Sequence, residues 1–577
     1  MQPLPRQVKI ELIAILLLTG LILAGSRGIL IQAGTIDAYF YTSFIHNYAD
    51  LVERFGNTYY STRIAHIYPA SILASALGPE KGYVAYRFML LSAALISVWA
   101  MIRSYYPVAV GILLVVGAAF SPWLLRSLFW DYTDSSGVVY LLVCTALFAT
   151  ASGVAKGRLL LAGAFSALAA NTNLYLLGVS GLLLPAWLLS RPASFHSRAK
   201  SVAAYVSGFA ACYLSLCVVR YVQFPQHGFL LDAIPFKVAA NLMEGGAEEW
   251  FIDPSWLIWN GWVHILIPPA VWLTALFVWF SWPGMRTPVL RFSLLHLGFV
   301  MGLYLISSFG FHLSVIGLPY YFVFLLPASL LCWGVVVGSL AAKHPQRRVA
   351  PILIGIALLS PVWHFLYPVV HPLDARLPAW GFVLAAGLAL LCVAASRWFP
   401  MLGLAVVSLL MAASPLALCK PVYNRIPILE KNRTVDWDSF GYGAIYQANP
   451  ALEWDLYRAA IWLRSRMDRF SPGSGRIGFW YSGDRGSYLN SVQSVGLFLY
   501  SRLHRESSEE MPNLTPALQQ QLQRIRILFL LAEDPLELDA GMEAIEKAGI
   551  RVLVRDEEVY TGQACRIAYR ILELPQE

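Results

Sequence analysis

The stretch "VAYRFMLLSAALISVWAMI", Val84 to Ile102, carries one charged residue, Arg87, in nineteen positions. A helix on a soluble domain shows an apolar stripe and a polar face. This stretch is apolar nearly all round. Its length approaches the ~20 residues needed to cross the hydrocarbon of a bilayer, where every backbone N–H and C=O must be satisfied inside the segment. Working outward, comparable runs recur near 10–30, 106–125, 136–153, 158–173, 174–190, 201–220, 261–281, 289–309, 314–340, 349–368, 379–396 and 399–418. Of the 577 residues, 58% are hydrophobic and 13% charged, against about a quarter charged in a soluble globular protein. The expected fold class is a polytopic α-helical membrane protein of about thirteen transmembrane helices, followed by a C-terminal α/β domain.

Charge sets the expected orientation, because short cytoplasmic loops hold an excess of Lys and Arg. One alternate set of connections carries Arg6, Lys9, Arg103, Lys156, Arg158, Arg191, Arg198, Lys200, Arg286, Arg291, Lys343, Arg347, Arg348 and Arg397, with Glu11 as its only acid. The opposite set carries Asp37, Asp50, Glu53, Glu80, Asp131, Asp134 and the acids of the 225–260 loop. The N-terminus is thus expected inside and the C-terminus outside. The net charge of +8 is largely this topology signal. No Lys/Arg-rich run with interleaved aromatics appears, so a nucleic-acid partner is not expected. Cys419 and Cys565 are both placed outside, where they are able to pair.

Two domains are expected, 1–420 in the membrane with a first outer loop over 33–83, and 421–577 in water on the exoplasmic side. In the second, 475–482 and 524–535 read as strands, the latter running into a turn, and 550–556 as a third strand. The segments 491–503 and 536–549 read as helices, the latter with a glycine stop. The loop Tyr481–Asn490 offers Asp484 and Arg485 at a strand end; a tight turn is the plainer reading.

The outer loops hold the polar residues on which chemistry would depend. In "GTIDAYFYTSFIHNYADL", Gly34 to Leu51, and on to Phe55, the residues Phe40, Phe44, Tyr48, Leu51, Val52 and Phe55 recur at steps of three and four. This is an amphipathic helix lying in the interface. Asp37 falls in its first turn, where a carboxylate either caps the helix or waits as a catalytic base; the residues alone leave both readings open. Asp131 and Asp134 flank the start of the fourth span, where acids are costly unless they face water, a cavity or a partner. Asp134 is also placed to cap that span. Arg87, just inside the outer end of the second span, is placed to reach the headgroups.

The order of these features resembles the GT-C glycosyltransferase superfamily: an aspartate after span one, an aromatic first loop, "STRIAHIYP" (Ser61–Pro69), "YVAYRF" with Arg87, and an acid heading span four. It is most similar to the bacterial branch of protein O-mannosyltransferases and lipid A aminoarabinose transferases, and "GLPYYFVFLLPASLL" (Gly317–Leu331) looks like that branch's aromatic span. The resemblance implies a sugar donor linked to polyprenyl phosphate and transfer on the exoplasmic face of a bacterial inner membrane. It assigns Asp37 as the acceptor-activating base, Asp134 with Asp131 as a second acidic site, and Arg87, Arg63 and His66 as the donor-phosphate site. A divalent cation among the carboxylates is possible on this reading, though no tight Asp-x-Asp spacing is present. Membrane lipids are expected partners, and the acceptor, whether lipid, glycan or protein, is open. The chain departs from the pattern at Ala38, where relatives often pair acids, and at Asn173, where several carry lysine. A transporter or flippase using His264, His296 or His364, or a non-catalytic binding protein, are the alternatives.

Overall fold

The structure is a computed structural model. It describes residues 5–25, 36–129, 133–151, 156–192, 194–231, 263–313, 319–343, 346–359, 425–428, 433–436, 450–467, 477–483 and 511–575, with a few isolated positions besides. Helices stand at each of the first eleven expected spans. They are α1 (Arg6–Gly25), α4 (Pro79–Arg103), α5 (Val108–Ala119) with α6 (Pro122–Phe129), α7 (Asp134–Thr150), α8 (Lys156–Thr172), α9 (Tyr175–Gly181) with α10 (Leu183–Ser190), α11 (Phe195–Gln223), α12 (Val263–Ser281), α13 (Pro288–Leu305), α14 (Leu326–Ala341) and α15 (Gln346–Ala357). Between the first two of these in the chain lie α2 (Ile36–Phe55) and α3 (Ile64–Leu77). Five helices among the described residues are long and apolar enough to cross a membrane: Arg6–Ala24, Pro79–Arg103, Phe195–Gln223, Pro288–Gly310 and Val323–Ala341. Others at expected spans, such as Val108–Ala119 and Tyr175–Ser190, are shorter. The expected spans 379–396 and 399–418 lie outside the described residues, as do the acids of the 225–260 loop, Cys419, Asp484 and Arg485.

The chain divides into two compact units. Unit 1 comprises residues 1–26, 62–66 and 86–447; unit 2 comprises 27–61, 67–85 and 448–577. The first outer loop is therefore shared out: its residues 62–66 belong with the helical bundle, and the rest with the C-terminal segment.

Unit 1 is a bundle whose helices approach closely at small residues. A Cβ on Gly163 would collide with the Tyr205 carbonyl, and one on Gly208 with the Leu160 carbonyl, so α8 and α11 meet backbone to backbone. Apolar solvent gives helices no hydrophobic reason to associate, and close packing at glycine supplies the dispersion contact that does. The same device joins Gly137 on α7 to Thr172 at the end of α8, where an added Cβ would lie 2.7 Å from the Thr172 hydroxyl. Every residue of α14 from Pro327 to Ala341 is buried. On α11, by contrast, Val206, Leu214, Val218 and Val222 are exposed, an apolar face suited to lipid.

Unit 2 is built on a sheet of β3 (Ile477–Tyr481), β4 (Ile527–Ala532), β5 (Leu553–Thr561) and β6 (Arg566–Glu573); a separate hairpin, β1 (Arg425–Ile428) with β2 (Arg433–Asp436), precedes it in the chain. The sheet order is β3-β4-β6-β5, with β3 and β4 parallel and the other pairs antiparallel. Alternation along β4 sends Ile527, Phe529 and Leu531 to one face and Leu528, Leu530 and Ala532 to the other, and all six are buried. Helix α16 (Pro450–Met467) covers the first face; α17 (Pro516–Leu522) and α18 (Pro535–Lys547) cover the second. Asp455 of α16 ties that layer down: its buried carboxylate accepts from the backbone N–H groups of Ala564 and Cys565 at the β5–β6 turn. Cys565 is buried in the same core.

Candidate active site

In unit 1 the segment 62–66 is held against the end of α8 by one side chain. Asn171 Nδ2 donates to the Thr62 carbonyl (3.0 Å) while its Oδ1 accepts from the Ala65 N–H (2.9 Å). Tyr140 of α7 adds a hydroxyl bond to the Ala65 carbonyl (2.8 Å). An amide pairing both backbone polarities satisfies a buried turn and an otherwise unpaired N–H in the first turn of α3. The effect is to fix Arg63 and His66 in place. Arg63 is buried and donates through Nη1 to the Asn171 carbonyl (3.1 Å).

His66 Nδ1 lies 3.0 Å from Ser136 Oγ, and the Ser136 hydroxyl is 3.2 Å from the Thr133 carbonyl. The Ser136 hydroxyl has one proton for two acceptors, the Thr133 carbonyl and the unprotonated form of Nδ1, and the ring's tautomer sets which receives it. The Tyr86 hydroxyl reaches the His66 carbonyl at 3.2 Å. Burial, and the Arg87 charge beside it, push the pKa of His66 down to about 3, so the ring is neutral at ordinary pH.

Arg87 is 0% exposed and donates to the Leu128 carbonyl at the end of α6. It does not snorkel to headgroups. Asp134 is 1% exposed, at the first position of α7. The residue before it, Thr133, makes no side-chain cap bond, and Asp134 Oδ1 accepts instead from Asn173 Nδ2 at 3.1 Å. Asn173 Oδ1 in turn accepts from the Tyr175 N–H at 3.0 Å, so this one amide joins α7 to the start of α9. Asn173, a departure from the resembled pattern, thus puts a neutral side chain on the carboxylate.

Four expected site residues, Arg63, His66, Arg87 and Asp134, are therefore brought into one buried polar cluster: Arg63 bonds to Asn171, His66 to Ser136 and Asp134 to Asn173, and the Arg87 charge acts on His66. Asp131 and the Asp37 side chain lie outside the described residues; the Asp37 backbone sits in the first turn of α2, in unit 2. Asn171, Ser136 and Tyr86 were not anticipated. A polar residue in the last turn of an apolar helix, as in "ANTNLY", is the signal that would have found Asn171. Among the described residues no group of three or more His, Cys, Asp and Glu is placed to hold a metal ion. His296 is buried on α13, stacked on Phe292, with neither ring nitrogen hydrogen-bonded among the described residues. His364 and the His264 side chain lie outside the described residues.

Chemically, two guanidinium groups and a carboxylate taken out of water and held beside a neutral imidazole form a preorganised charge array. Such an array suits a substrate in which negative charge is displaced.

No protein-family model and no curated protein matches the chain. The likenesses among solved structures run along nearly the whole chain and are faint in sequence. ArnT from Cupriavidus metallidurans in complex with undecaprenyl phosphate is 13% identical, covering 98% of each chain, with a TM-score of 0.47. Its apo state is 14% identical over the same shares, with a TM-score of 0.48. The Archaeoglobus fulgidus oligosaccharyltransferase, in complex with Zn and sulfate, is 11% identical over 97% of this chain and 72% of that one, with a TM-score of 0.36.

Proposed function

We propose that the protein is a GT-C type membrane glycosyltransferase that moves a sugar from a polyprenyl-phosphate-linked donor to an acceptor on the exoplasmic face of a bacterial inner membrane, with unit 2 on that face. The observation that carries this reading is the convergence of Arg63, His66, Arg87 and Asp134 from three separate stretches of sequence into one buried polar cluster. In the proposed reaction an acceptor hydroxyl attacks the anomeric carbon, the new glycosidic bond forms as the carbon–oxygen bond to the lipid phosphate breaks, and the phosphate leaves with the electron pair. A carboxylate accepts the hydroxyl proton, and fixed positive charge stabilises the departing phosphate. Asp37 is assigned as that base. Asp134, with Asp131, supplies the second acidic site, and Arg87, Arg63 and His66 are assigned to the donor-phosphate site.

The test is transfer by the purified full-length protein in nanodiscs, using a panel of radiolabelled undecaprenyl-phosphate sugars and an envelope extract as acceptor. One donor is expected to yield labelled product, and Asp37→Asn to slow it by roughly 10²–10⁴-fold. No turnover with any donor, or undiminished turnover by the variant, would overturn the reading.

A further inference from the structure

Unit 2 contains a cavity of about 240 Å³ that the proposed reaction does not use. One wall is α2 and the other is α16. On α16 the lining positions Tyr457, Ala460, Ile461, Arg464 and Ser465 follow steps of three and four, the spacing at which a helix buries its apolar stripe. Arg464 and Ser465 break that stripe with polar groups. The facing positions of α2, Thr42, Ser43, His46 and Asn47, are all polar. Two amphipathic helices that met only to pack would present apolar residues to each other at these positions.

The cavity has a definite chemical character. Arg464 contributes positive charge, and no carboxylate stands among the described lining residues. Glu80, at the start of α4, pairs with Arg458. Arg464 Nη1 donates to the His46 carbonyl (3.3 Å), at the point where α2 kinks: Asn47 has φ −135° and ψ 39°. The His46 ring is fixed from the other side, its Nε2 2.8 Å from the Tyr457 hydroxyl, which also lies 3.2 Å from the Pro79 carbonyl. Packing around the imidazole and the adjacent Arg464 charge push its pKa down to about 4, so it adds no charge near neutrality. Asn47 is 7% exposed, and its Oδ1 has no hydrogen-bond partner among the described residues. A buried amide oxygen left without a donor is destabilising, and a ligand hydroxyl would satisfy it.

We propose that this cavity is a binding site for the phosphate ester of a small polyol, with Arg464 taking the phosphate and Asn47, with the hydroxyls of Thr42 and Ser43, taking the polyol. Its volume is below the ~300–1,000 Å³ of pockets for drug-sized ligands, which limits the occupant to one headgroup. The same chemistry is offered by a glycerophospholipid headgroup or by a soluble sugar phosphate. The inference does not rest on the transferase reading.

The test uses the full chain in phosphatidylcholine nanodiscs, with radiolabelled glycerol 3-phosphate and glucose 6-phosphate as soluble probes. In a second arm, nanodiscs with and without phosphatidylglycerol are compared by thermal unfolding. Saturable binding of a soluble ester in the first arm identifies a free ligand; stabilisation by phosphatidylglycerol alone identifies the headgroup. In either case Arg464→Gln is expected to weaken the effect tenfold or more, Asn47→Ala several-fold, and Ile461→Trp, which fills the space, to abolish it. Each variant is checked for unchanged unfolding temperature without ligand, and the two single-site polar variants stand in for each other if one misfolds. Neither arm responding, or a response indifferent to all three substitutions, would overturn the proposal.

Discussion

The buried cluster of unit 1 and the cavity of unit 2 use nearly the same residue types to opposite effect. In the cluster, Asn171 spends both ends of its amide on backbone groups, and Asn173 bridges a carboxylate to a backbone N–H. In the cavity, Asn47 sits with its oxygen unpartnered among the described residues beside open volume. The first asparagines hold a shape. The third leaves room for something else. An amide in a sequence says nothing about which of these it does; the difference lies in whether backbone from a distant segment arrives to meet it.

This contrast breaks first, and most visibly, at the arginines. Arg87→Ala strips a donor from a buried carbonyl and leaves a void, so a loss of roughly 3 kcal/mol or more is expected. Arg464→Ala, at the rim of an existing cavity, is expected to lose less than about 1 kcal/mol. Thermal unfolding of the two variants in one detergent measures the gap, and equal losses would erase the distinction. Next in size is Asp455→Ala, which leaves two backbone N–H groups of the β5–β6 turn without their acceptor. A cost of about 1–3 kcal/mol is expected, read as a lowered unfolding temperature with the bundle's helical signal retained.

Asn171→Ala and Asn47→Ala sharpen the same comparison with one chemistry. The first frees the 62–66 turn and is expected to cost about 1–3 kcal/mol; the second removes an unpartnered acceptor and is expected to be neutral or slightly stabilising. The smallest effect at neutral pH is that of His46, which appears only on acidification. Its folded pKa of about 4 lies below the unfolded value of 6.5, so between those values the unfolded chain binds more protons and stability falls as pH falls. Above 6.5 there is no contribution. His46→Gln is expected to flatten part of the loss between pH 6.5 and 4 while leaving the unfolding temperature at pH 7.5 nearly unchanged.

Much of this was legible in the sequence because it is local. The amphipathic period from Asp37 to Phe55 gave the whole of α2, and the strands at Ile477–Tyr481 and Ile527–Ala532 and the helix at Pro535–Lys547 follow from alternation, apolar runs and a glycine stop. Helix α16 was missed: as well as apolar residues, its buried side carries Asp455, Tyr457 and Arg464, whose partners are the β5–β6 turn and α2. Strand β6 was also missed, along with the antiparallel half of the sheet, since pairing order is set by packing between distant segments. The third expected strand began at Ile550, whereas β5 starts at Leu553 and runs on to Thr561.

For the candidate site, the residue types were legible and their surroundings were not. Arg87 at a span end suggested contact with headgroups, and only the arrival of α6 buries it completely. Asp134 at the head of a helix suggested a cap, and only Asn173, 39 residues on, shows that its oxygen is turned elsewhere. The kink at Asn47 has no proline or glycine to announce it.

The proposed part of the unit 1 cluster in glycosyl transfer is tested most directly by Asp134→Asn. The variant keeps the oxygen that accepts from Asn173 and removes the charge. With a radiolabelled undecaprenyl-phosphate sugar and the full-length protein in nanodiscs, the account predicts a fall in transfer rate on the order of 10²-fold or more at an unfolding temperature close to that of the parent. Transfer at the parental rate by a folded Asp134→Asn protein would contradict it.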